Sequence, residues 1–382
     1  MIYLDSSATA PVDPEVSKAM WPYLTEEYGN PSSKYYTLAE NAKKAVEEAR
    51  EHVASLLSCQ QNEIIFTSCA TESNNFVLKG VTHYYKNQGK HIITSKIEHK
   101  SVLETCKFLE SEGFEVTYLD VDQHGQVQLE TLKKAIRDDT ILVSIMWGNN
   151  EIGTLNNIKQ LARYTKENHP HVFFHTDATQ VLGKVEVDLS MAPVDFLSLS
   201  AHKMYGPKGI GACFIRKSEL GLRTKLTPLL HGGSQEDGYR SGTLSVHNIV
   251  GLGKAAEIAK ASLKEHRYKL LELENHFVSI LKGSFPDIKF NGHPEQKIPG
   301  VINFTIPGIH NELIIRNLRD KFAISTGSAC SINEPSYVLN AVGLNGMEIK
   351  NSFRISLNKY VSMDEINCFI KTLKKEIVSL LI

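Results

Sequence analysis

The chain has 382 residues, 42% hydrophobic and 22% charged, and its 42 Lys and Arg against 43 Asp and Glu leave a net charge of −1. That is the make-up of a folded globular chain of about two or three domains, with enough apolar residues for a sizeable core. It excludes a disordered tail, a collagen-like fibre and a disulfide-stapled scaffold, and it offers no long-range field to nucleic acid or an anionic membrane.

Short β-branched or aromatic runs recur at residues 63–67, 91–95, 115–119, 140–146, 172–175, 196–200 and 210–215. Segments with helical periodicity, 37–57, 74–85, 102–112, 129–137 and 158–167, separate most of them. This α/β alternation predicts a mostly parallel seven-stranded sheet sandwiched by helices. The interval between the last two runs is too short for a crossover helix, so that pair is expected to be antiparallel. Beyond Arg240-Ser241-Gly242-Thr243 the texture changes to a long helix over 249–281, strands at 301–306 and 353–357, a helix over 312–321 and a terminal helix from Met363. These read as a smaller α+β domain. The expected division is 14–250 for the large domain, and 1–13 with 251–382 for the small one.

Residues 1–5 carry neither a basic leader nor an apolar stretch suited to a signal peptide. The densest early apolar run, 141–147, is far shorter than the ~20 residues of a membrane span. The six cysteines, at 59, 69, 106, 213, 330 and 368, form no Cys-x-x-Cys pair. The expectation is a reduced, cytoplasmic enzyme whose thiols mostly pack as small hydrophobes. His169, His171 and His310 lack companions at metal-site spacing, so no metal centre is expected. Gly251-Leu252-Gly253 follows no strand, and helix packing accounts for its glycines better than dinucleotide binding does.

In an open α/β sheet ligands bind at the carboxyl ends of the strands. Thr67-Ser68-Cys69-Ala70-Thr71 follows the first run and opens a helix; it is either a phosphate cradle or ordinary capping by Thr71. Asp177 and Gln180 follow the fifth run, and Ser200, His202 and Lys203 follow the sixth. Lys203 with Asp177 is either a surface ion pair or a Schiff-base lysine and the carboxylate that keeps a pyridine nitrogen protonated. With the cradle, the second set of roles fits pyridoxal phosphate. His99 is either a solvated histidine or one stacked on a cofactor ring, and Asn150 either a turn residue or a cofactor contact. Cys330, flanked by small residues in Gly327-Ser328-Ala329-Cys330-Ser331, is a structural thiol or a nucleophile on a pliable segment.

Taken together the motifs resemble the cysteine desulfurases of the NifS/IscS type, within the aspartate-aminotransferase-like fold of pyridoxal phosphate enzymes. They are Tyr3-Leu4-Asp5-Ser6-Ser7-Ala8-Thr9, Tyr28-Gly29-Asn30-Pro31, Ala70-Thr71-Glu72-Ser73-Asn74-Asn75 and Asn149-Asn150-Glu151-Ile152-Gly153, followed by Asp177-Ala178-Thr179-Gln180, His202-Lys203-Met204-Tyr205-Gly206, Arg240-Ser241-Gly242-Thr243 and Ser328-Ala329-Cys330. The resemblance implies a homodimer with shared active sites. Lys203 would bond the cofactor, Asp177 the pyridine nitrogen and Gln180 the ring oxygen, with His99 stacked on the ring. Thr71, Ser200 and His202 would hold phosphate, joined by Thr243 from a second subunit, and Ala70 and Asn150 would contact the cofactor. Asn30 and Arg354 would hold the carboxylate of L-cysteine. Cys330 would take the sulfur as a persulfide and pass it to a protein acceptor, an iron–sulfur scaffold or a thiolation-pathway protein. A selenocysteine lyase, a related aminotransferase and an inactive scaffold are the competing readings. The chain departs from the family at Cys69, where Gly is usual, at Trp147-Gly148, and in the short interval between Cys330 and Pro335.

Overall fold

The computed structural model describes residues 1–218, 220–327 and 335–381. The chain enters through a two-residue strand, β1 (Ile2–Tyr3), and then lays down one large sheet. Its strands are β2 (Ile64–Thr67), β3 (His91–Ser95), β4 (Glu115–Leu119), β5 (Thr140–Ser144), β6 (Phe173–Asp177), β7 (Phe196–Ser200) and β8 (Gly211–Ile215). Across the seven-stranded sheet they lie in the order β2-β8-β7-β6-β5-β3-β4. The pairings among β3, β4, β5, β6 and β7 are parallel, while β8 runs antiparallel to both β7 and β2. The ten residues between β7 and β8 leave no room for a crossover, and the strand returns beside its predecessor as the sequence predicts.

Alternation along each strand divides the side chains between two cores. In β2, Ile64 and Phe66 enter one and Ile65 the other; in β8, Ala212 and Phe214 oppose Cys213 and Ile215. The helices Ala70–Tyr85 and Lys100–Ser111 cover one face, and Thr37–Leu57, Leu129–Ala135, Ile158–Asn168 and Val246–Ala261 the other. In Thr37–Leu57 the buried Ala42, Val46, Ala49 and Val53 recur every three or four residues, the apolar stripe of a core-facing helix. Small residues let it meet Val246–Ala261 closely. A Cβ on Gly253 would lie 2.5 Å from the Cα of Ala49, and one on Gly251 would lie 2.7 Å from the sulfur of Met20. The glycines of this segment therefore serve helix packing.

The sequence predicts one helix over 249–281, but the structure has two, Val246–Ala261 and Leu263–Ser284, meeting at Ser262. The Ser262 hydroxyl donates at 2.8 Å to the Ile258 carbonyl, which already accepts the Ser262 N–H. Such back-bonding competes with the helical ladder and bends it. The first helix packs in the large core, and the second supplies Leu270, Leu273, Phe277 and Leu281 to another.

That second core lies on an antiparallel sheet of β9 (Lys289–Asn291), β10 (Val301–Thr305) and β12 (Ser352–Ser356), in the order β12-β10-β9. Phe304 is its centre, stacked on Phe353 at 5.5 Å and tilted against Phe277 at 6.1 Å. Burial of each such side chain is worth about 1.5–3 kcal/mol. A short strand, β11 (Phe322–Ala323), pairs parallel with β1, and Asp5 bridges to Ser356. The N-terminal segment next passes to the large sheet, where Ala10 N–H donates to the His202 carbonyl at 2.8 Å. Residues 5–10 thus cross from one sheet to the other over the carboxyl ends of β6 and β7. No helix among the described residues is long and apolar enough to cross a membrane.

Candidate active site

A cleft of about 260 Å³ opens where residues 7–8 pass over the strand ends. Its lining includes Ala70, Thr71, His99, Asn150, Asp177, Gln180, Ser200, His202, Lys203 and Arg354, all singled out by the sequence. Asn30 and Thr243 do not line it and are exposed in this single chain. Asn30 folds on itself, its Oδ1 accepting from the Ser32 N–H at 3.0 Å. Cys330 falls within 328–334, outside the described residues.

Each lining group is delivered by an element end. The helix over Ala70–Tyr85 starts four residues earlier than its periodicity predicts, and its N-cap is Cys69 rather than Thr71, with no side-chain cap. Its amino end therefore brings the partial positive charge of its first turn, with the Thr71 side chain, to the cleft. Glu72 reaches back to the Ser68 N–H at 2.7 Å and is tied to Arg240 at 2.9 Å, which couples this helix start to the 233–243 segment. Lys203 ends the 3₁₀ turn Ala201–Lys203 after β7, and its Nζ donates to the carbonyls of Ser7 at 2.5 Å and Ala8 at 2.6 Å.

Asp177, at the end of β6, is 5% exposed. Its Oδ2 accepts from Asn74 Nδ2 at 2.8 Å and its Oδ1 from the Thr179 N–H at 2.9 Å. Two residues earlier on the same strand, His175 spans the neighbouring strands, bonded to Ser144 Oγ at 2.8 Å and Ser198 Oγ at 3.0 Å. Burial pushes its pKa down to about 4, so the ring is a neutral tie between β5, β6 and β7. Burial, reinforced by the charges of Lys203 and Lys208, likewise pushes His202 down to about 4, leaving a neutral imidazole 3.1 Å from Thr9 Oγ1.

Arg354 comes from β12 and is 1% exposed. Its Nη2 pairs with Asp5 Oδ1 at 2.6 Å and its Nη1 donates to the Asn150 carbonyl at 3.2 Å, while Nε has no hydrogen-bond partner among the described residues. Asn149 spends its side chain on the local turn, accepting from the N–H groups of Glu151 and Ile152, so Asn150 is the one presented to the cleft. Trp147, a departure from the family pattern, is 6% exposed and packs in the large core beneath the cleft. Cys69, another departure, does line the cleft. Sequence reasoning assigned no role to four further lining residues, Ser7, Ala8, Met146 and Thr179. For Ser7 and Ala8 the available signal was the run of small residues at Ser6-Ser7-Ala8-Thr9.

Glu98, beside His99, is fully buried, and its Oε1 accepts from Ser95 Oγ at 2.6 Å and the Met146 N–H at 2.9 Å. Burial, with the nearby Asp177 charge adding to it, pushes its pKa up to about 8. The folded value is above the unfolded one, so from about pH 4.5 to 8 the unfolded chain gives up a proton that the folded chain keeps. Stability then falls as pH rises through that window, by roughly 1.4 kcal/mol per unit for this group. Glu98→Gln is expected to flatten the fall when urea midpoints are compared from pH 5 to 8. Parallel curves for the two chains would show that Glu98 is not the group responsible.

With this geometry in place, comparison with known proteins decides the family. The family model described as Aminotransferase class-V matches residues 2–369. The chain belongs to the class-V aminotransferase family. It is 45% identical over 378 residues to cysteine desulfurase IscS of Neisseria gonorrhoeae, an alignment covering 98% of this chain and 92% of that protein. Among solved structures it is similar to a NifS-like protein with a TM-score of 0.92 and 38% identity, covering 99% of both chains. It is also similar to SspA in complex with cysteine, with a TM-score of 0.82 and 37% identity over 95% of this chain and 100% of that one. The large sheet with its helical layers is the fold this class-V member shares with those structures.

Proposed function

We propose that this class-V chain is a cysteine desulfurase that uses pyridoxal 5'-phosphate to convert L-cysteine to L-alanine and keeps the sulfur as a persulfide on Cys330. The supporting observation is that Lys203, Asp177 and His99 share one cleft with an uncapped helix end, Thr71, Ser200 and His202. The donor chemistry fits the cofactor. Ser7 Oγ, Asn150 Oδ1, Thr179 Oγ1, Gln180 Oε1 and Ser200 Oγ are buried lining atoms with no hydrogen-bond partner among the described residues. Leaving such an atom unpaired costs about 1–3 kcal/mol; a phosphate and a ring oxygen would accept from the three hydroxyls, while the two amide oxygens accept only and call for a donor such as the substrate's amino group.

In this reading Thr71, Ser200 and His202 hold the phosphate, Asp177 the pyridine nitrogen and Gln180 the ring oxygen, and Ala70 contacts the cofactor. Bound there, pyridoxal phosphate supplies an electron sink that weakens the bonds about the substrate's α and β carbons. Lys203 takes up and returns the proton at the substrate α carbon, and His99 exchanges a proton with the bound substrate. Arg354, whose guanidinium keeps N–H groups beyond the two bonded to Asp5 and Asn150, offers donors to the substrate carboxylate, with Asn30 joining it. The Cys330 thiolate attacks the sulfur of L-cysteine; the new S–S bond forms as the carbon–sulfur bond breaks, and alanine departs after protonation. The balance is L-cysteine plus enzyme thiol giving L-alanine plus enzyme persulfide.

The cofactor-binding domain, expected over 14–250, then extends through Ala261, because the whole helix Val246–Ala261 packs in the large core, and residues 1–13 with 263–382 form the smaller domain bearing the nucleophile. Thr243, exposed on its segment, reaches the cleft of a second subunit in a cytoplasmic homodimer. The persulfide passes to a protein acceptor. Incubated with L-cysteine and a thiol reductant, the enzyme is expected to release alanine and sulfide in equal amounts. Cys330→Ala abolishes both while the cofactor absorbance survives. Alanine released at the wild-type rate by Cys330→Ala would refute the persulfide step.

A further inference from the structure

We propose that Asn74 and Ser101 are positioning residues that connect the Asp177 carboxylate to the His99 imidazole and hold that ring in the tautomer bearing its hydrogen on Nε2. The inference rests on the function proposed above and assigns roles to two residues behind the cleft wall. Asn74 lies in the helix Ala70–Tyr85 and is 0% exposed; Ser101 lies in the first turn of Lys100–Ser111 and is 8% exposed.

The direction of each bond follows from the one before. A carboxylate oxygen accepts only, so the Asn74 group 2.8 Å from Asp177 Oδ2 is the amide nitrogen, and its Oδ1 faces away. The second hydrogen of that nitrogen is donated to Ser101 Oγ, also at 2.8 Å. With its oxygen accepting from the amide, the Ser101 hydroxyl turns its own hydrogen to His99 Nδ1, again at 2.8 Å. The Ser101 backbone N–H donates to the same Nδ1 at 3.2 Å. Two donors converge on Nδ1, so in the neutral ring the hydrogen sits on Nε2.

The consequence is chemical. With Nδ1 occupied, His99 exchanges protons with groups in the cleft through Nε2 alone, and the ring cannot turn over without breaking two hydrogen bonds. A charge on Asp177 also polarises the amide, the hydroxyl and the imidazole in one direction, so the residue that holds the cofactor nitrogen and the residue that handles the substrate's proton are parts of one network. No sequence period links positions 74, 101 and 177; parallel strands and two helix starts bring them together.

The test is the ¹⁵N spectrum of ring-labelled histidine in the cofactor-loaded enzyme, with His99→Gln used to assign the signal. Wild type is expected to show a bare Nδ1 and a hydrogen-bearing Nε2. Asn74→Leu frees the Ser101 hydroxyl to accept from the ring, so a mixture of tautomers is expected, with kcat lowered about 10–100-fold, the usual effect of deleting an outer hydrogen-bond partner, and KM within about twofold. Ser101→Ala keeps the 3.2 Å backbone bond and is expected to give a smaller shift in the same direction; it decides the matter if Asn74→Leu does not fold. A hydrogen on Nδ1 in wild type, or wild-type nitrogen shifts in both variants, overturns the proposal. An enzyme that makes no alanine from cysteine defeats the proposed function instead, because the nitrogen shifts report the tautomer without turnover.

Discussion

Lys203→Ala is expected to lower alanine formation from L-cysteine by at least about 10³-fold, because one substitution removes both the covalent anchor of the cofactor and the acid–base group at the substrate α carbon. Its Nζ is gripped by the Ser7 and Ala8 carbonyls at 2.5 and 2.6 Å, which fixes its place against the N-terminal crossing. Those carbonyls belong to a segment with other ties. The Ser7 N–H donates to Ser356 Oγ at 2.8 Å, and Ala10 N–H to the His202 carbonyl. The fold is therefore expected to survive with an unfolding free energy, from urea denaturation, within about 1 kcal/mol of wild type, the ordinary range for a site without a core cavity. Lys203→Arg separates charge from chemistry. It retains a donor for the two carbonyls but is not expected to restore turnover, since a guanidinium does not lose its proton in a protein. The measurement is alanine release with and without added pyridoxal phosphate, alongside the cofactor's absorbance band. Turnover above about a tenth of wild type in Lys203→Ala would remove the lysine from its assigned role.

The second large effect concerns stability and lies outside the cleft. Glu236→Ala is expected to cost about 3–5 kcal/mol, the range for removing one member of a buried ion pair. Arg50 Nη1 and Nη2 grip the two Glu236 oxygens at 2.9 and 2.7 Å, and Glu236 Oε2 also accepts the Phe66 N–H at 2.7 Å. The Arg50 guanidinium stacks 4.6 Å above the Phe66 ring. Truncation leaves the Phe66 N–H of β2 without its acceptor and strips the buried Arg50 of its two-point partner, with only Glu47 at 3.3 Å and the Ile64 carbonyl at 2.9 Å remaining.

Backbone strain raises the stakes. Glu236 and Asp237 have φ of 48° and 54°, the left-handed region that residues with a Cβ enter at a cost. The ion pair is what over-determines this turn. Because 236–243 is one continuous segment, loosening it is also expected to weaken whatever Thr243 contributes to a second subunit. Urea denaturation measures the first effect and dimer dissociation the second. Glu236→Gln, which retains the shape and the acceptor for Phe66, should lose less. A loss below about 1 kcal/mol in Glu236→Ala would mean that the pair is replaced by solvent at no cost.

The legible part of the molecule was the part governed by local chemistry. The seven strand runs, the antiparallel return of β8 and most helix spans follow from periodicity and from the length of the intervals. β1, β9 and β11, of two or three residues each, are too short to carry a period and exist because neighbouring strands offer them hydrogen bonds. The bend at Ser262 was hidden because a hydroxyl that leaves the helical ladder looks, in sequence, like one that does not. The early start of the helix at Ala70 was missed for a related reason: Ala70, Thr71, Glu72 and Ser73 show no apolar stripe, and their place is set by the strand feeding them.

The charge balance, the thiol inventory and the ordered motifs were determined by the sequence alone, since each is a matter of residue type and spacing. They sufficed to single out Lys203, Asp177, His99 and the phosphate-cradle residues, and to set Cys330 apart from the other five cysteines. Tertiary structure alone decided that residues 7–8 roof the cleft, that Trp147 packs beneath it while Cys69 lines it, and that Asn74 and Ser101 lie between Asp177 and His99. The physical reason is distance along the chain. Hydrogen bonds between residues 27 or 103 positions apart leave no local pattern, and come into being only when the sheet sets its strand ends side by side.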